Sequence, residues 1–243
     1  MNPATLDEAK VIARKTRQGT QELGSTDVVM CPPFVFISAV MASSVPAPHV
    51  YLGVQSVSPY TEEGPHTGEV GVHMLRDLNV EYVIAGHSEE RARGVTDEEV
   101  SKSVSAIVHE GMTAIVCVGE QVRDDSGTYL ETLRQQIQNS LAGIESKYAK
   151  HIVIAYEPIW AIGAAKAMNP EQVCEMGIFV KKICADMFGS DIAHKIRVLY
   201  GGAVNAGNAA PIITAGNVDG LLVGRESVHV EGFVELLKAV DTR

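Results

Sequence analysis

Seven short apolar runs, rich in β-branched residues, recur along the chain, and each leads through a turn rich in Gly, Pro or Ser into a helical pattern. The runs cover residues 28–31, 50–54, 80–85, 113–118, 152–156, 196–200 and 220–223. Nearly all are continuously apolar instead of alternating, as parallel strands covered on both faces are. The helical patterns that follow them span 34–43, 70–78, 97–109, 129–148, 170–188, 206–214 and 231–240. Thr96 with Glu99 fits a capping box, and Asn169 stands before Pro170, a natural first helical residue. Repetition of strand then helix predicts an α/β fold with a parallel sheet. No linker or low-complexity stretch divides residues 1–243, which are read as a single domain.

One helix stands outside this series. Residues 5–23 carry a capping box of Thr5 and Glu8 and place Leu6, Ala9, Ile12, Ala13 and Thr16 on one face. The count is then seven strands and eight helices. A (β/α)8 barrel would need one more strand before that helix, and the chain is expected to open just past it. A doubly wound open sheet tolerates any strand count, but no Gly-x-Gly-x-x-Gly fingerprint follows the first strand.

Composition excludes several classes. A 46% apolar content is enough for a large core and rules out a disordered chain. No apolar run approaches the ~20 residues of a membrane span, and the acid-bearing start has no signal-peptide character. A net charge of −10 argues against nucleic-acid or anionic-membrane surfaces. The four cysteines show no metal-like spacing, so a reducing cytoplasm is the expected setting.

In a barrel, the loops leaving the C-terminal strand ends build the active site. His87 follows the strand at 80–85 and reads either as a hydrogen-bond donor or general acid/base, or as a structural histidine. Glu157 ends the strand at 152–156. A carboxylate at the lip of a buried strand is costly unless used or paired, so it reads as a general base or as a salt-bridge partner. The segment Pro158 to Lys166, stiff at its entry and small at its tip, suits a lid that excludes water, and it contains the only tryptophan, Trp160. Gly201-Gly202-Ala203 and Gly224-Arg225 follow the last two strands, where barrel phosphate sites usually lie.

Six segments, in this order and spacing, resemble the triosephosphate isomerase family: Gly68-Glu69-Val70, Gly86-His87-Ser88-Glu89, Cys117-Val118-Gly119-Glu120, Ala155 through Gly163, Tyr200-Gly201-Gly202 and Leu222-Val223-Gly224. The resemblance covers essentially the whole chain. It implies an α/β (β/α)8 TIM barrel, here lacking the first strand, and an enzyme that interconverts dihydroxyacetone phosphate and D-glyceraldehyde 3-phosphate through an enediolate. That step belongs to glycolysis and gluconeogenesis. It further implies Glu157 as the base and His87 as the neutral electrophile. Backbone N–H groups at Gly163, Ala203, Gly224 and Arg225 would hold the substrate phosphate, and Glu89 would support the catalytic pair. Arg197 with Asp219 would be a structural ion pair. Residues 55–68, with Thr67 near their working end, would reach into a partner subunit of a homodimer. No metal or organic cofactor is expected.

The chain departs from the family pattern at a few places. The family's first strand ends in Asn-x-Lys, and this chain opens at Met1-Asn2, so a catalytic lysine is expected to be missing and turnover severely impaired. Lys166 sits at the lid's exit, where a solvent-facing side chain is expected, and Arg225 replaces a usual glycine. Ala203 replaces a usual serine, and Ala164-Ala165 replaces a more glycine-rich tip. A gapped barrel of lowered stability is expected, monomeric or variably associated.

Overall fold

The computed structural model describes residues 1–42, 45–60, 64–162 and 167–241. Seven parallel strands form one curled sheet in strict sequence order: β1 (Val28–Met30), β2 (Val50–Val54), β3 (Tyr82–Ala85), β4 (Thr113–Val118), β5 (Ile152–Tyr156), β6 (Arg197–Tyr200) and β7 (Gly220–Leu221). The helices are α1 (Leu6–Thr20), α2 (Ile37–Met41), α3 (Val72–Asp77), α4 (Ser88–Ala92), α5 (Asp97–His109), α6 (Thr128–Ser140), α7 (Pro170–Phe188), α8 (Ser190–Ala193), α9 (Ala209–Thr214) and α10 (Val230–Val240). Short α4 and α8 add to the eight helices expected from the pattern. No helix among the described residues is long and apolar enough to cross a membrane.

Period-two alternation sorts the strand residues onto two faces. Val83, Ala85, Ala114, Val116, Val118, Ile152, Ile154, Tyr156, Val198 and Tyr200 pack outward against the helices in the main core. Cys31, Ile84, Ile115, Cys117, Val153 and Ala155 form a second cluster on the interior face. The register is continuous: Cys117 lies beside Ala155, and Ala155 beside Leu199. Parity then carries past the strand end, so the residue after Tyr156 falls on the interior face.

Helices enclose the ends of this sheet more completely than its own hydrogen bonds do. α1 packs on α10, and Ala9, Ala13, Val28, Met30, Val40 and Leu237 form a third apolar cluster that joins α1, α2, α10 and β1. Lys15 pairs with Glu231, and Asp241 accepts from the backbone N–H groups of Gly24 (2.8 Å) and Ser25 (3.2 Å). Among the described pairings, β1 bonds to β2 and β7 to β6, and none joins β1 to β7.

Several boundaries differ from the sequence reading for identifiable reasons. The pattern over 129–148 breaks at Gly143, whose φ of +76° no ordinary helical residue adopts, and the chain resumes as a 3₁₀ turn at Ser146–His151. Val80 and Ile196 donate to Leu75 and Ala193 as helix-ending turns, which shortens the strands that follow. The expected Arg197–Asp219 pair does not form. Asp219 instead pairs with Lys181 (3.2 Å) and accepts from the Val198 N–H (2.7 Å), whereas Arg197 lies 3.9 Å from Asp27.

Candidate functional site

Glu157 is positioned by three backbone constraints. Its N–H donates to Val118 at 2.8 Å, which extends the β4–β5 ladder by one residue. A Cβ on Gly119 would overlap the Glu157 carbonyl, and a Cβ on Gly201 would stand 2.8 Å from Glu157 Cγ. Both glycines therefore make room for the carboxylate, a close-approach role for glycine at strand ends. The side chain is buried, at 4% exposure. Such burial of a carboxylate is tolerable only with donors, and it has them: His87 Nε2 donates to Oε1 at 3.1 Å and the Ser88 N–H donates to Oε2 at 3.3 Å.

His87 reaches this point through a turn. Gly86 has φ +69°, which bends the chain off β3 and makes His87 the N-cap of α4. The Glu89 N–H donates to His87 Nδ1 at 3.3 Å. A backbone N–H can only donate, so Nδ1 carries no proton, and the neutral ring presents its proton on Nε2 toward Glu157. Burial presses the imidazole toward its neutral form. The hydrogen bond and charge of Glu157, with the charges of Glu89 and Glu90, outweigh burial and hold its pKa above the ordinary value. The Glu89 side chain is itself exposed; it acts on the pair through its charge, and its backbone N–H makes the hydrogen bond to His87.

Two residues beside the pair belong to a motif quoted from the sequence but were given no role there. Cys117 lies fully buried against Glu157; burial first, then the charge and hydrogen bonding of Glu157, raise its thiol pKa well above the ordinary value. Glu120, 1% exposed, accepts from Tyr156 Oη (2.8 Å) and Trp160 Nε1 (2.9 Å) and so holds the base of the segment after β5. The signal was present: Glu120 follows a buried strand just as Glu157 does.

The remaining candidates sit on neighbouring strand ends. Ala203 is half-buried after β6, where its carbonyl accepts from Asn208 Nδ2 at 3.0 Å. Gly224 and Arg225 are exposed after β7 and open a short 3₁₀ turn in which Gly224 accepts from Ser227 N–H (3.0 Å) and Oγ (2.6 Å). Because the strands are parallel, these loops share one rim with His87 and Glu157. Gly163, Ala164, Ala165 and Lys166 lie outside the described residues.

Fold and site together define an α/β-barrel protein with a carboxylate–imidazole pair at the C-terminal rim of its sheet. The family model described as triosephosphate isomerase matches residues 1–240. A triosephosphate isomerase of Rhodopirellula baltica is 41% identical over 220 residues, covering 88% of this chain and 85% of that protein. One from Carboxydothermus hydrogenoformans is 36% identical over 233 residues, covering 95% and 92%, and one from Acetivibrio thermocellus is 40% identical over 215, covering 88% and 85%. The chain belongs to the triosephosphate isomerase family.

Proposed function

We propose that this chain interconverts dihydroxyacetone phosphate and D-glyceraldehyde 3-phosphate, as a cytoplasmic enzyme built on a single barrel unit spanning residues 1–243. The observation that carries the reading is the 3.1 Å contact between His87 Nε2 and Glu157 Oε1 at the rim of a chain in this family. Glu157 takes a proton from one substrate carbon and returns it to the next, while neutral His87 donates from Nε2 to the oxygen that gains charge. These roles come with the family resemblance, and the Nε2–H tautomer supports them. Backbone N–H groups at Gly163, Ala203, Gly224 and Arg225 hold the phosphate, with Glu89 as a backbone support to His87.

The same reading makes this 243-residue polypeptide a slow catalyst. Among the described residues, Glu157 meets His87 and forms no ion pair with a lysine or arginine. A fixed cation facing the developing charge is what the family pattern leads one to expect, and each preorganised donor of this kind is worth about 10²–10³ in rate. The family's homodimer forms weakly, through residues 55–68, where Tyr60 stacks on His66 with centroids 4.3 Å apart.

The test is a coupled isomerase assay on this polypeptide and on one extended at its start by a strand ending in Asn-x-Lys. At least about a hundredfold gain on extension is expected, and equal rates in both would refute the impairment. Binding of phosphoglycolate with turnover in neither form would favour a non-catalytic phosphate-binding member of the family.

A further inference from the structure

Arg91 ties the loop that carries His87 to the end of the next strand. Its side chain is 14% exposed. Nε donates to the Gly86 carbonyl at 2.7 Å, and Nη2 donates to the Cys117 carbonyl at 3.2 Å and to Ser140 Oγ at 3.1 Å. Nη1 pairs with Asp97 Oδ1 at 2.5 Å, which balances the charge. The backbone N–H of Arg91 donates to the His87 carbonyl at 3.0 Å. One residue thus holds the peptide before His87 with its side chain and the carbonyl of His87 with its backbone.

The fit is particular to a guanidinium. A Cβ on Gly86 would stand 2.8 Å from Nη2, so the glycine leaves space for the planar head. A planar fork can serve Gly86 just after β3, Cys117 on β4, Asp97 on α5 and Ser140 on α6 at once, whereas a lysine ammonium is a single point. The two carbonyls it grips also flank the reacting pair: Gly86 leads into His87, and the side chain of Cys117 faces Glu157.

We propose that Arg91 is a positioning residue, whose guanidinium sets the Gly86–His87 peptide against the end of β4 and so fixes His87 Nε2 at its distance from Glu157. The inference rests on the reading of His87 and Glu157 as the working pair. A displacement of about 1 Å in such a pair costs about a hundredfold in rate.

The experiment compares Arg91→Met, Arg91→Lys and the control Ser140→Ala by steady-state kinetics and by ¹⁵N NMR of the histidine side chains. For Arg91→Met the expected result is a fall in kcat of about a hundredfold with KM within about threefold. Arg91→Lys recovers part of that loss, and Ser140→Ala changes little. The His87 ring signals move in Arg91→Met, and its titration midpoint falls toward the ordinary value as Glu157 recedes. Glu89 and Glu90, the other charges acting on the ring, stay in place in every variant. Unchanged His87 signals and unchanged kcat in the folded variants, with only a lower melting temperature, would overturn the proposal. Should Arg91→Met fail to fold, Arg91→Lys carries the same test. Shifted His87 signals with no turnover in any form, the strand-extended one included, would sink the isomerase reading and leave the positioning role standing.

Discussion

The two ends of the sheet and its middle are built differently. β3, β4 and β5 are four to six residues long, paired on both sides, and contribute side chains such as Val116, Ile154 and Ala155 that are fully buried. β1 and β7 have three and two residues, one described partner each, and half-buried side chains at Val29 and Leu221. His87 and Glu157 stand on the first region, Gly224 and Arg225 on the second. Proton transfer needs sub-ångström placement, and close-packed strands supply it. Holding an anion with backbone N–H groups tolerates more movement.

Substitutions that separate these two tasks should therefore differ in size and in kind. Glu157→Gln keeps the volume of the side chain and removes the proposed base, so kcat is expected to fall by about 10³ with KM nearly unchanged. Arg225→Ala, in an exposed turn, should raise KM by less than about tenfold and leave kcat alone. Measuring both in the coupled assay decides the matter: a larger kcat loss at Arg225 than at Glu157 would invert the division of labour drawn above.

Stability should divide the same way. Ile154 is 0% exposed in the middle of β5, and Ile154→Ala should cost about 4 kcal/mol through lost burial and a residual cavity. Val29, half-buried on the edge strand, should cost about 1 kcal/mol when cut to Ala, because its surroundings collapse or admit water. Urea unfolding midpoints compared at equal m-values read the difference. Equal losses at the two positions would mean that the seam is as tightly packed as the centre.

Much of this was legible because the determinants are local. Capping boxes set the starts of α1 and α5, and Asn169-Pro170 set the start of α7. Continuous apolar runs marked every strand, and Glu157 stood out as an acid at the end of one. What escaped depends on contacts distant in sequence. α4 and α8, with five and four residues, are too short to show a period. Asp219 could not be assigned to Lys181 instead of Arg197 without knowing which way α7 turns Lys181. The reach of Arg91 to Cys117 and Ser140 spans 26 and 49 residues, and no spacing rule anticipates it.

The smallest expected effect concerns the link between the His87–Glu157 pair and the rest of the fold. Burial alone would lower the pKa of His87, but Glu157, Glu89 and Glu90 raise it above the ordinary imidazole value of about 6.5. A group whose pKa is higher in the folded than in the unfolded state adds stability below the unfolded pKa and loses it as pH rises through the folded one. His87→Gln should therefore melt below the parent protein at pH 5–6, and the gap should narrow as pH climbs from about 6.5 upward. Activity runs the other way if, as proposed, the neutral ring is the working form: kcat/KM should still be rising above pH 6.5. Because His87 remains about a third exposed (30%), the stability difference is modest, and thermal scans at several pH values are needed to see it. Parallel melting curves across that range would mean that the carboxylates around His87 favour the imidazolium no more in the folded protein than in the unfolded chain.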